Sequence, residues 1–190
     1  MPGLLRFGFT VNGREVIARA ISGLGAAVTD LTPAWRNVVA DFYATEQQRF
    51  ADEGSYEGGP TWEPLSDNPE GHGYKSWKEW HFPGQPILTL RGGLRRSLTQ
   101  QGSEGNVTEV GPMALSMGTK LAVGKSRRWN LGMLHQTGTE RMPARPPVWV
   151  SPQEKKRWTR FIRMTATDAV NSALIEHNLK GAEPSLMSRH

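Results

Sequence analysis

The stretch Ser151-Pro152-Gln153-Glu154, followed by KKRWTRFIRMTATDAVNSA up to Ala173, predicts the element on which the rest of the fold is built. Ser151 and Glu154 have the spacing of a capping box, in which each side chain accepts a hydrogen bond from the backbone N–H of the other residue, and Pro152 suits a first helical turn. Apolar residues then recur at three- and four-residue intervals, at Trp158, Phe161, Ile162, Ala166, Ala169, Val170 and Ala173. We therefore predict a long amphipathic helix that stops near Gly181, with a flexible tail over 181–190.

Before this helix, strand and helix patterns alternate along the chain. Residues 5–11 alternate between apolar and other residues as a half-buried strand does, and Asn12-Gly13 closes it as a turn. A helix is predicted over 16–28, and a second begins at the N-cap Thr32, with Pro33 at its first position, and runs to about Asp52.

A short helix over 89–99 and a hairpin over 107–117 complete the predicted elements. Together they predict a single α+β domain over 1–180. It consists of a small antiparallel sheet packed with two N-terminal helices and one long C-terminal helix.

Two long segments, 53–86 and 120–150, are rich in Gly and Pro and are predicted to be interaction loops, the second ordering only on assembly. The tryptophans divide along the same line. Trp35 and Trp158 lie on the apolar faces of helices and are expected in the core. The remaining ones are expected to be buried against a partner: Trp62, Trp77, Trp80, Trp129 and Trp149.

Charge is divided between the two halves of the chain. The 190 residues have a formal net charge of +5, but residues 1–90 contain 7 basic and 11 acidic residues, whereas 91–164 contain 14 and 4. This division suits two different neighbours, head-to-tail contact between copies, or a face turned toward phosphate; a basic face exposed only to solvent is the simpler alternative.

Composition excludes several classes of protein. The absence of cysteine excludes disulfide scaffolds, thiol catalysis and cysteine-bound zinc. The N-terminal residues lack the apolar region of a signal peptide, and no uncharged run approaches the roughly 18 residues of a membrane span. We expect a soluble protein with no membrane partner.

Patterns that would support enzymatic chemistry are incomplete. Gly124-Lys125-Ser126 has the ending of a phosphate-binding loop, but Thr119 occupies the position of the required first glycine. His72, His81 and His135 have no metal-ligand spacing. The candidate nucleophiles lack a Gly-x-Ser-x-Gly elbow, and the carboxylates are interpreted as parts of solvated faces: Ser66, Ser97 and Ser126, and Glu46, Glu53, Glu57 and Glu63. We predict no enzymatic activity, no cofactor and no metal.

Basic residues in the second half could neutralise phosphates without reading sequence. The candidates for a DNA-facing surface are Arg127, Arg128, Lys155, Lys156 and Arg157, with Arg91, Arg95, Arg96, Lys120, Lys125, Arg160 and Arg163 also available. No recognition helix, zinc finger or RNA-recognition motif is present. A small DNA-binding accessory protein without sequence specificity is therefore the alternative function.

In order and spacing, the segments from Val11 to Val150 resemble the phage virion morphogenesis family of tail-completion or neck proteins. The residues that carry this resemblance are Gln48-Arg49-Phe50-Ala51-Asp52-Glu53-Gly54, Trp62-Glu63-Pro64-Leu65-Ser66, Lys75, Ile87-Leu88-Thr89-Leu90-Arg91-Gly92-Gly93-Leu94-Arg95-Arg96-Ser97, His135-Gln136-Thr137-Gly138 and Pro143-Ala144-Arg145-Pro146. Two positions depart from the family pattern. Arg91 replaces a frequent Ser or Thr, and Pro147 replaces an aromatic residue, which leaves the layer of the neck open among completion, terminator and connector proteins.

The resemblance implies a structural virion protein with no catalysis, assembled in the host cytoplasm and located at the neck or tail. It implies a ring, expected to be a hexamer, that joins the DNA-filled head to the tail. Its implied partners are copies of itself, the connector or stopper, the tail terminator, the tail tube and, in passing, packaged duplex DNA. For the interface we select Trp62, Trp80, Arg145 and Trp149, with Arg145 as a charged anchor and Trp149 as an aromatic one.

Overall fold

The computed structural model describes residues 5–9, 29–67, 73–124 and 129–181, with all their side chains except those of 5–9, 174 and 176–181. In chain order the elements are β1 (Leu5–Phe9), α1 (Thr32–Ala51), a 3-10 turn (Tyr56–Gly58), α2 (Tyr74–His81), α3 (Gly93–Thr99), β2 (Asn106–Val110), β3 (Leu115–Thr119), β4 (Ala122–Val123), β5 (Trp129–Asn130), α4 (Leu131–Thr137) and α5 (Pro152–Gly181). The α+β prediction is confirmed. The helix predicted over 16–28, the turn at Asn12-Gly13 and the tail beyond Gly181 lie outside the described residues.

The larger sheet has β3 at its centre and antiparallel neighbours on both sides, in the order β1-β3-β2. Leu5 is paired with Thr119 and Phe9 with Leu115, so the first strand of the chain joins the predicted hairpin, which is confirmed. Leu115 and Met117 of β3 are fully buried, because alternate residues of a strand share one face. In the described part of the chain, the second sheet consists of β4 and β5.

The core lies between this sheet and helices α1, α3 and α5. Its buried side chains include Trp35, Val38, Phe42 and Phe50 of α1, Leu94 and Leu98 of α3, Leu115 and Met117 of β3, and Trp158 and Ala166 of α5. Full burial of one such large apolar side chain is worth roughly 1.5–3 kcal/mol. The two tryptophans predicted to be in the core are therefore confirmed there.

Helix α1 differs from its prediction at its first residue. Thr32 is the first helical residue and not the cap. Leu31 is the N-cap residue and makes no side-chain capping hydrogen bond; the carboxylate of Asp30, one residue earlier, accepts a hydrogen bond from the Thr32 N–H, at 2.8 Å.

Helix α5 begins with the predicted capping box and ends at Gly181. The Glu154 N–H donates to the Ser151 hydroxyl at 2.8 Å, and the Ser151 N–H donates to the Glu154 carboxylate at 2.7 Å. The predicted apolar face is wrong at Ala169 and Ala173, which are exposed. With 30 residues against 20 in α1, α5 extends beyond the helix on which it packs.

The two predicted loops contain regular structure. Segment 53–86 includes the 3-10 turn and α2, and segment 120–150 includes β4, β5 and α4. That segment 120–150 orders only on assembly stays a prediction. Within its described part, Asn130 links the end of β3 to α4. Its side chain donates to the Thr119 carbonyl at 3.0 Å and accepts from the Met133 N–H at 3.0 Å, which caps α4.

Candidate functional site

A cluster of buried charged side chains joins α1 to the first turn of α5. Arg49 donates to Glu46 in its own helix and, through Nη2, to the Glu154 carboxylate at 3.1 Å. All three side chains are at most 1% exposed. This buried ionic cluster of Glu46, Arg49 and Glu154 was missed in the sequence, where Glu46 was interpreted as solvated. The available signal was that Glu46 and Arg49 fall among the apolar positions of α1.

Charge balance within the cluster follows from burial. Desolvation raises the pKa of Glu46 to about 8, and the neighbouring Glu154 carboxylate adds to the increase, although Arg49 opposes it. At neutral pH Glu46 is therefore mostly protonated. One guanidinium then faces one carboxylate, and the cluster carries no net charge inside the core.

A second ionic group holds α5 from its partly exposed side. Arg157 contacts Asp41 at 2.8 Å and Glu57 at 2.6 Å, and the Ser151 hydroxyl also donates to Glu57. Hydrogen bonds and the charge of Arg157 lower the pKa of Glu57 despite its desolvation. Arg157 was predicted to face DNA. This stays a prediction, with the finding that its guanidinium, 35% exposed, is already engaged by two carboxylates of the same subunit.

The solvent-facing side of α5 carries exposed cations. Lys155 and Lys156 are exposed, and Arg160 and Arg163 continue the same side one and two turns further along. Among the described residues, none of these four side chains takes part in an ion pair. We call them the α5 basic face. The other two predicted DNA-facing residues, Arg127 and Arg128, lie outside the described residues.

Helix α2 presents an aromatic surface formed by Tyr74, Trp77, Trp80 and His81. Tyr74 stacks on Trp77 with ring centroids 5.7 Å apart, and His81 lies 4.8 Å from Trp77 and 4.5 Å from Trp80. Trp80 is 81% exposed and Trp77 43%. The sequence analysis selected Trp80 but missed the helix, although residues 74, 77, 78 and 81 have helical spacing.

Two of the predicted interface residues are buried inside the subunit. Trp62 packs edge-on against Phe50, and its Nε1 donates to the Pro146 carbonyl at 2.8 Å. Arg145 donates through Nε to the Glu63 carbonyl at 2.5 Å and through Nη2 to the Pro64 carbonyl at 2.8 Å. With exposed fractions of 2% and 4%, both residues fasten segment 120–150 to segment 53–86. Their assignment as surface anchors is corrected. The fourth residue, Trp149, is partly buried.

A cavity of about 670 Å³ lies beside Arg145, between residues 88–94, helix α4 and residues 141–143. His135 lines it, and burial together with the charge of Arg145 lowers the pKa of His135 to about 4. Two polar atoms at the cavity, Thr89 Oγ1 and His135 Nδ1, have no hydrogen-bond partner in the described part of the chain.

In the described ranges, no three His, Cys, Asp or Glu side chains are grouped closely enough to hold a metal ion. Lys125 and Ser126 of the incomplete phosphate-loop pattern lie outside those ranges. Among the same residues, no helix has the length and apolar content needed to cross a membrane.

Comparison with protein families identifies a match. The model of the phage virion morphogenesis family matches residues 13–165, well over half of the chain. Searches of curated proteins and of solved structures found no match.

Proposed function

Because the chain belongs to the phage virion morphogenesis family, we propose that it is a structural subunit that joins the head and the tail of a tailed bacteriophage. The family gives it a role in the virion. The position at the neck, the ring and the absence of catalysis are our proposal.

The observation that carries this proposal is the aromatic surface of α2. Exposed tryptophans are rare on a protein without partners, and Trp80 stands almost entirely in solvent. Tryptophan and tyrosine supply most of the binding energy at protein interfaces, since they bury large apolar areas while few side-chain torsions become fixed. Stacking of Trp77 on Tyr74 and the edge-on contact of Trp80 with His81 hold the tryptophans in place before binding. The surface therefore suits contact with a neighbouring neck protein or a second copy.

A ring, which we expect to be a hexamer, is consistent with the two unlike surfaces of the subunit. Rings arise from heterologous contacts, in which one surface of a subunit meets a different surface of the next. The aromatic surface of α2 and the α5 basic face differ in character, which favours contact between unlike surfaces over self-pairing of one surface. Copies of the chain, the connector or stopper, the tail terminator and the tail tube are the proposed partners.

The test is deletion of the gene from a phage that encodes this chain, followed by electron microscopy of the lysate. We expect DNA-filled heads and complete tails that remain separate, and joined particles after the purified chain is added. Trp80→Ala should lower the yield of joined particles by at least about 30-fold, the effect of losing about 2 kcal/mol of binding at a hot spot.

Val110→Ala is the matched control, since Val110 is also an exposed apolar side chain, at 42%, but lies on β2 outside the aromatic surface. The free energy of unfolding of both variants, measured in urea, should lie within about 0.5 kcal/mol of that of the unmodified chain. Joined, infectious particles from the deletion phage would refute the joining role. Equal effects of the two substitutions would remove the α2 surface from it.

The alternative function, a DNA-binding accessory protein, is favoured by the α5 basic face alone. It predicts a lysate of normal joined particles from the deletion phage and a defect before assembly, in DNA replication or packaging.

A further inference from the structure

We infer that the α5 basic face, formed by Lys155, Lys156, Arg160 and Arg163, binds the phosphate backbone of duplex DNA without reading its sequence. The choice of DNA as the partner draws on the proposed joining function, which places the subunit where DNA leaves the head. The geometry of the face is independent of that function.

The four cations are arranged on one side of the helix. Successive helical residues rotate by about 100°, so the four side chains span an arc of about 140°. Lys156, Arg160 and Arg163 lie opposite the buried Glu154 and Trp158, and Lys155 lies at the edge of the arc. From Lys155 to Arg163 the axial rise is about 12 Å. One DNA strand presents a phosphate every 3.4 Å or so along its axis, which gives three to four phosphates over that length. The number of cations matches the number of phosphates that one strand offers.

The face is free to bind and held rigid. None of the four cations is paired with a carboxylate of the described residues, in contrast to Arg157 on the same helix. The buried ionic cluster and the contacts of Arg157 with Asp41 and Glu57 fix the first turns of α5 to α1 and the 3-10 turn. A fixed helix loses little conformational entropy when it binds, so little of the electrostatic attraction to phosphate is offset by ordering of the protein.

The composition of the face favours a phosphate backbone over a protein partner. Thr159, Met164, Thr167 and Asp168 complete this surface, which contains no aromatic residue. Protein interfaces are depleted in charge at their centre and enriched in aromatic residues, as the α2 surface is. Lysine, arginine and hydroxyl side chains are those that contact phosphate and sugar in DNA complexes.

The experiment measures binding of the full chain to a short fluorescein-labelled duplex of mixed sequence by fluorescence anisotropy, between 50 and 200 mM salt. Four phosphate contacts give a slope of about −3.6 in log K against log salt. The variant Lys155→Gln, Lys156→Gln, Arg160→Gln, Arg163→Gln should reduce the magnitude of the measured slope by about 3–4. Affinity should be the same for duplexes of unrelated sequence.

The matched control replaces two other lysines and two other arginines, all exposed, by glutamine: Lys75, Lys120, Arg95 and Arg141. It removes the same net charge and should change the slope by less than about 1. Unchanged urea unfolding confirms that both variants fold. Equal slopes in the α5 variant and the unmodified chain would overturn the inference. Tighter binding of a polyglutamate peptide than of the duplex, lost in the α5 variant, would instead assign the face to an acidic protein and also overturn it.

This outcome is separable from that of the joining role. Loss of DNA binding is read on the isolated chain, and joining is read on the deletion phage. Failure of the duplex to bind, with normal joining by the unmodified chain, refutes only the DNA contact.

Discussion

Replacement of Arg49 by Met should destabilise the subunit by about 3–5 kcal/mol. Arg49 and Glu154 are each 1% exposed, and the guanidinium contacts the carboxylate at 3.1 Å. When the guanidinium is removed, the Ser151 N–H is the remaining hydrogen-bond donor to this carboxylate among the described residues. Removal of one partner of a buried ion pair costs this much because the remaining charge is desolvated and uncompensated. Methionine fills a similar volume, so the loss of packing is kept small.

The assay is urea unfolding followed by tryptophan fluorescence, with Trp35, Trp62 and Trp158 as buried reporters. The free energy of unfolding of a chain of this size falls by about 2–3 kcal/mol per molar urea, so the urea concentration at the unfolding midpoint should fall by about 1–2 M. Arg157→Met is the control. Its guanidinium also contacts two carboxylates, but at 35% side-chain exposure solvent screens them, and the expected loss is only about 1 kcal/mol.

A double variant identifies the cause of the loss. Glu154→Gln keeps an oxygen that can accept the Ser151 N–H but removes the buried charge. Added to Arg49→Met, it should restore at least about 2 kcal/mol, a coupling of the size found between contacting residues. If the double variant is no more stable than Arg49→Met alone, the uncompensated charge is not the cause and the reasoning is refuted.

Three further predictions concern stability. Glu46→Gln should leave the free energy of unfolding unchanged near pH 4.5 and raise it by about 1–3 kcal/mol at pH 8. The pKa of Glu46 is about 8 in the folded state and 4.5 in the unfolded state, so the native chain loses stability as pH rises between these values. Urea unfolding of both proteins across this pH range checks the prediction, and parallel stability curves would contradict it. The native chain should lose about 1–2 kcal/mol of unfolding free energy as pH falls from 6.5 toward 4, because the pKa of His135 is lowered to about 4 in the folded state and the unfolded state binds the proton first. His135→Asn should remove this loss. The same pH series tests the prediction, and an equal loss of stability at acid pH in both proteins would contradict it. Gly54→Ala should lower the free energy of unfolding in urea by more than about 2 kcal/mol, since its φ is +95° and an added Cβ would lie 2.4 Å from the Pro60 carbonyl oxygen. The control Gly58→Ala, at φ +77° with open space around it, should lower it by about 1 kcal/mol. Equal losses in the two variants would exclude the steric explanation.

Local patterns in the sequence were sufficient for β1, α1, α3, the β2–β3 hairpin and α5, but not for α2, α4, β4 and β5. The capping box at Ser151 and Glu154 and the spacing of apolar residues in α1 and α3 depend on neighbours along the chain, so they could be predicted without the fold. The exposed Trp80 could also be selected, since an aromatic residue among Gly and Pro has no neighbouring apolar face to join.

Whether an individual side chain in segments 53–86 and 120–150 is buried or exposed was decided only by tertiary structure. Trp62 and Arg145 lie far apart in the chain and were predicted at the surface. They are buried because the carbonyls of Pro146, Glu63 and Pro64 come within hydrogen-bond distance when the two segments meet. Sequence patterns carry no information on such pairings.

The sequence by itself determined the α+β class, the capped C-terminal helix and the resemblance to phage virion morphogenesis proteins, because these depend on periodicity and on the order of short motifs. Tertiary structure alone decided which charges are free. Arg49 and Arg157 are neutralised by carboxylates brought from elsewhere in the chain, whereas Lys155, Lys156, Arg160 and Arg163 remain exposed on the solvent-facing side of α5. Electrostatic energy depends on distance and burial in space, and neither is contained in the order of residues.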